Sequence, residues 1–237
     1  EAVDNGGSTE ILIAVDTSQG GVFSHSAPTS SSSIDWNSVT NPAGASGSIP
    51  AKATQIEASV ANNGEVYAAL TNMRTGMNKR LHFSSNFGAT SGGSVSWREF
   101  TTSSGGTIDN VELIKSHPSG IYLATKNEIL FKPASSAAFS QVFTSIDEVV
   151  GFSVSASTLG HIATRGASGN NSFFETDWSG TDIDLTSSLP SFAPVETHTG
   201  TCPLVGGQCP LEIELVGSDP ADSTGKTIYI AGSSTNA

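Results

Sequence analysis

Residues 119–127 read SGIYLATKN, and the chain writes close variants of this stretch four more times. They are EILIAVDT at 10–17, NGEVYAALTN at 63–72, STLGHIATRG at 157–166 and KTIYIAGSS at 226–234. Aligned on their centres, Leu12, Tyr67, Tyr122, His161 and Tyr229 occupy one position of a repeat. Each copy is a short run of apolar and small residues behind a Gly, Asn or Thr, the composition of a strand leaving a turn. Self-similarity at such spacing points to a repeat architecture before any single element is considered.

Further strand-like runs flank every central copy. TQIEASVA (54–61), VELIKSHP (111–118), VVGFSVSAS (149–157) and LEIELVGSD (211–219) precede four of the copies. GGVFSHS (20–26), KRLHFSS (79–85), EILFKPA (128–134) and NSFFETD (171–177) follow. A fourth run comes next: IDWNSVT (34–40), VSWREFTT (95–102), FSQVFTS (139–145) and TDIDLTS (181–187). The unit therefore reads as four short antiparallel strands joined by Gly, Ser and Asn turns. No window carries a sustained 3.6-residue apolar period, so the sequence predicts an all-β chain nearly free of helix.

Four-stranded units recurring every ~40–55 residues are the pattern of β-propeller blades. One small sheet cannot bury both of its faces, whereas sheets stacked around a centre cover one another. The pattern predicts a single propeller domain over 1–237, with blade units at 9–40, 53–102, 108–145, 146–188 and 192–237. The first and last units read as incomplete, the first opening on a second strand and the last ending on one. Exposed strand edges invite pairing with other chains, so the pattern predicts a fragment of a longer chain or a partner that completes the ring.

One turn allows a family resemblance. Ser84-Ser85-Asn86-Phe87-Gly88-Ala89-Thr90 matches the first seven positions of Ser-x-Asp-x-Gly-x-Thr-Trp, with Asn86 for Asp and the tryptophan arriving late as Trp97. Ser24 through Trp36 stand at the same place in the first unit, without the glycine. The chain thus resembles the BNR or Asp-box propellers, the group that includes sialidases and sortilin-type receptor domains. For a sialidase the resemblance would require several arginines converging on a carboxylate, a chemistry suited to the guanidinium fork. The chain has Arg74, Arg80, Arg98 and Arg165, and it lacks the family's N-terminal arginine motif. Fold alone does not carry function.

Charge narrows the partners. With 10 Lys+Arg against 22 Asp+Glu, the formal net charge is −12, which repels nucleic acid and supplies no basic cluster for anionic membranes. No run of about 18 apolar residues is present, so no spanning helix is expected. Low charge with abundant Ser, Thr, Gly and Asn predicts a secreted or cell-surface protein. Cys202 and Cys209 flank Gly206-Gly207, which permits a reversal tight enough for a disulfide.

Other constellations are weaker. Asp182 and Asp184 share one face of a strand, but nothing brings a defined carboxylate pair to glycosidase spacing. GSDPADSTGK at 217–226 offers Asp219 and Asp222 as oxygen ligands for calcium, while its plainer reading is a polar hairpin loop of Asp-Pro and Thr-Gly turn pairs. His161 takes the tyrosine slot of the repeat and reads as a core histidine. Trp178 stands in a polar glycine turn, where an exposed ring would suit stacking on a sugar face and a structural role is the plainer reading. The expectation is a non-catalytic extracellular recognition, adhesion or assembly module without a cofactor. Its ligand would be a glycan or protein at a cell surface, met by Trp178, Arg74 and Tyr122 and by loops at 41–54, 71–80 and 196–210. A glycan-cleaving enzyme and a subunit of a surface filament or ring are the alternatives, the latter through self-association.

Overall fold

The computed structural model describes residues 2–4, 9–15, 21–26, 37–38, 51–62, 64–72, 77–85, 97–102, 105–155, 158–166, 171–185, 211–219 and 221–234. All regular structure among them is β, and no helix there is long and apolar enough to cross a membrane.

Among the described residues, eighteen strands form five antiparallel sheets. The first holds β1 (Ala2–Asp4), β2 (Thr9–Val15), β3 (Gly21–Ser26) and β4 (Asn37–Ser38). The second holds β5 (Ala51–Ala58), β6 (Val66–Asn72), β7 (Met77–Ser84) and β8 (Arg98–Glu99). The third holds β9 (Leu113–His117), β10 (Gly120–Ala124), β11 (Glu128–Pro133) and β12 (Ser140–Thr144). The fourth holds β13 (Glu148–Val154), β14 (Gly160–Arg165), β15 (Asn171–Thr176) and β16 (Asp182–Asp184). The fifth is the hairpin β17 (Leu211–Ser218) with β18 (Ile228–Ser234). Each four-stranded sheet is a simple meander, every strand pairing with its neighbours in sequence. In the third sheet the connections 118–119 and 125–127 are too short for any other pairing of β9, β10 and β11. All five repeat copies are second strands: β2, β6, β10, β14 and β18.

The chain divides into two compact units. One is Glu1–Thr125 with Leu130–Ser140, and the other is Lys126–Ile129 with Gln141–Ala237.

In the first unit, β6 explains why a small sheet needs company. Val66 through Leu70 are all buried, so both faces of the strand are covered. Side chains alternate across a strand, and here they do so into two cores. Val66, Ala68 and Leu70 pack with Ala53, Ala58 and Trp97, and Ala14 of β2 leans on that cluster. Tyr67 and Ala69 pack instead with Leu81, Phe83 and Phe100, against Ile114, Ile121, Leu123, Leu130 and Phe139 from the third sheet. Phe100 and Phe139 meet edge to face at 5.0 Å across that boundary, a contact worth about 0.5–1.5 kcal/mol beyond its buried area. The second and third sheets are therefore laid face on face, and β5 touches β9.

The second unit repeats the scheme. Ala163 of β14 and Phe173 of β15 are buried with Val216 of β17, and Ile228 and Ile230 of β18 pack on them. β13 touches β17, as β5 touches β9. A bulge between Val149 and Gly151 interrupts the β13–β14 register at the glycine, where bulged strands bend and twist most readily.

The structure departs from the sequence reading in two places. The first sheet is complete, because β1 supplies a strand ahead of β2. Three residues, Ala2–Asp4, are too few to display alternation. The expected loops at 41–54 and 71–80 are also partly strand, since 51–54 belong to β5, 71–72 to β6 and 77–80 to β7. Residues 41–50, 73–76 and 196–210 lie outside the described residues.

Candidate functional site

Period-two alternation places Lys132 on the same face of β11 as Leu130, turned toward the second sheet rather than toward water. The lysine is only 5% exposed. Its Nζ stands 3.9 Å from Glu65 Oε2 and 5.9 Å from the centre of the Tyr67 ring. No acceptor among the described residues lies within hydrogen-bonding distance of Nζ. The stem is thus packed in the core while the ammonium stands at the cleft, with the Glu65 carboxylate and the Tyr67 ring as its partners.

Glu65 is by contrast well engaged. Its Oε2 accepts from the Tyr67 hydroxyl at 2.9 Å and from Asn62 Nδ2 at 3.2 Å. Burial first, and then the Glu65 carboxylate, push the Tyr67 phenol well above its ordinary pKa, which keeps it a proton donor. Arg98 lies over the Phe83 ring with its guanidinium carbon 4.8 Å from the centroid, a cation–π contact that aims the head without neutralising it.

These residues line one cleft of about 260 Å³, bounded by Glu65, Phe83, Arg98, Phe100, Lys132 and the turn 134–137. Two cations face one carboxylate there, over aromatic and alanine walls. The supports are local. Asn62 Nδ2 donates to Ala134 O at 3.2 Å, and Ala134 N to Ser119 O at 2.9 Å. Ser136 Oγ closes the turn on the backbone of Ala138. Gly120, at φ +148°, lets β11 pass closely: a β-carbon there would stand 2.1 Å from Lys132 O. That φ also belongs to a region only glycine visits cheaply.

The residues anticipated as ligand contacts lie apart from this cleft. Tyr122 is 2% exposed and stacks on Phe131 at 4.3 Å, while burial raises its pKa. Trp178, at φ +64°, donates its indole N–H to Thr158 O at 2.6 Å and packs over Gly160. Arg74, Cys202 and Cys209 lie outside the described residues, as do Asn86–Thr90 of the Asp-box turn.

Asp219 and Asp222 stand in the β17–β18 loop. Asp222 accepts from the Thr224 hydroxyl and amide and from the amides of Lys226 and Thr227. It therefore closes the loop as a side-chain turn, and those bonds, led by the Thr224 hydroxyl, hold its carboxyl below the usual range. Asp219 accepts from Ala221 N and from the Tyr229 hydroxyl. Among the described residues no group of three or more His, Cys, Asp or Glu side chains gathers at metal-binding distance. Asp182 and Asp184 are exposed on β16.

His161 is buried beside Glu175, Nε2 to Oε2 at 3.5 Å, and stacks on Phe173. Desolvation lowers its pKa, with Glu175 opposing. Of the arginines, Arg80 is committed to Glu99 and Asp109, each at 2.9 Å. Sequence reading passed over Glu65 and Lys132. The signal was available: Lys132 falls on the inward parity of EILFKPA, where an apolar residue belongs.

No protein-family model matches the chain, and a search of curated proteins finds no relative.

Proposed function

We propose that the chain is a non-catalytic extracellular recognition module of the Asp-box propeller type, binding its partner at the Lys132–Arg98 cleft. The observation that carries this reading is the pairing of two cations at one cleft: Lys132, its stem buried and its ammonium at the cleft with Glu65 at 3.9 Å, and Arg98 on the same lining. Such an arrangement costs stability, and sites that cost stability are retained for function. Binding is favoured over catalysis because the one carboxylate at the cleft, Glu65, is engaged by Tyr67 and Asn62. An acid or base must reach the proton it transfers, and this one is already occupied.

The propeller reading draws support from three features: four-stranded meanders, sheets stacked face on face, and adjacent first strands in β5–β9 and β13–β17. The extracellular reading rests on composition. A second reading, assembly into a ring or filament, draws on the fifth sheet, where β17 is the only strand paired with β18 among the described residues. Unpaired edges accept further strands.

Binding of the purified chain to arrays of surface glycans and extracellular proteins tests the proposal. Retention of a defined subset by the native chain, lost in Arg98→Gln, is the expected result. Release of sugar from a chromogenic glycoside panel would replace recognition with catalysis. A concentration-dependent mass in solution would favour assembly.

A further inference from the structure

The cleft's composition narrows what it takes, if it is the recognition site argued above. Lys132 and Arg98 against Glu65 leave one positive charge uncompensated. Cations are scarce in this chain, 10 Lys+Arg against 22 Asp+Glu, yet two meet here. Phe83, Phe100, Ala134 and Ala137 supply apolar walls, and Ser135 brings a hydroxyl to the rim. The volume, about 260 Å³, is below the ~300–1,000 Å³ of drug-sized sites. From these features we infer that the cleft binds a small organic carboxylate, a single anionic head on a compact apolar body about one ring in size.

Each part of that ligand meets a distinct feature. The carboxylate accepts from Lys132 Nζ, at closer range than the 3.9 Å at which Glu65 stands, and from the Arg98 fork, whose geometry matches a carboxylate. The apolar body rests against the cleft wall that Phe83, Phe100, Ala134 and Ala137 line. A dianion is disfavoured, because its second charge faces Glu65. A neutral ligand is disfavoured because it leaves the surplus positive charge of the Lys132–Arg98 pair unmatched.

The test is a ¹H–¹⁵N NMR titration of the full chain with benzoate, benzamide and acetate. Benzoate is expected to shift the amides of Phe83, Phe100, Ser135 and Ser136 with a Kd on the order of 1 mM, as fits a ligand of so few atoms. Benzamide lacks the charge and acetate lacks the body, so each should bind at least tenfold more weakly. Arg98→Gln, at an exposed position, should keep the folded spectrum and weaken benzoate at least fivefold. Silence of the cleft amides to benzoate, or equal response to benzamide, overturns the inference. Array recognition that persists and depends on Arg98 while benzoate stays silent leaves the recognition reading standing and removes only the ligand class. Benzoate binding without any array partner does the reverse.

Discussion

Trp178 lies across Gly160. A β-carbon added at Gly160 would stand 2.0 Å from Cζ2 of the indole, whose N–H is held by the carbonyl of Thr158 at 2.6 Å. The indole roofs the start of β14, and the backbone of Trp178 stands at φ +64°.

Gly160→Ala should therefore displace the indole and break its hydrogen bond. Overpacking of this kind costs about 1–3 kcal/mol. A urea midpoint lowered accordingly, with a shift in tryptophan emission, is the expected result. An unchanged midpoint would mean that the ring does not pack on this glycine.

The Asp222 carboxyl should titrate below 3.8, because the Thr224 hydroxyl and then Thr227 favour its charged form. A depressed folded pKa stabilises above the unfolded value and loses that contribution as pH falls through the folded one. A carbon-13 titration of the side-chain carboxyl reads this directly. An inflection at or above 3.8 would contradict the loop geometry. Asp222→Asn should speed exchange of the Lys226 and Thr227 amides.

His161 and His82 both have pKa values lowered first by burial. The unfolded imidazoles take up protons near 6.5 while the folded ones resist, so their contribution is full above that value and lost as pH falls below it. Denaturation between pH 7.5 and 5.5 should show declining stability, and His161→Phe should flatten the decline. An undiminished slope in that variant would exclude His161 as a contributor.

Much of the fold was legible because small antiparallel strands advertise themselves through alternation and turn residues. The strand runs named from the sequence correspond to β2 through β18. β1 was illegible at three residues. The candidate site was not read, because it belongs to no motif: Glu65 and Lys132 are 67 positions apart in sequence and meet only once the second and third sheets stack. Trp178 was legible only as a residue of the polar turn ETDWSGTD; the left-handed backbone that lays its ring over Gly160 has no signature there. His161 in the tyrosine slot was read as a core residue, and it is 1% exposed.

Lys132→Met separates a structural lysine from one kept for a ligand. Replacing a buried charge by an apolar side chain of similar length is often neutral or stabilising when the former partner keeps other bonds, and Glu65 keeps those from Tyr67 and Asn62. The account predicts a denaturation midpoint equal to or above the native one, together with at least tenfold loss of benzoate binding. A variant destabilised by about 3 kcal/mol or more that still bound benzoate as the native chain does would contradict it.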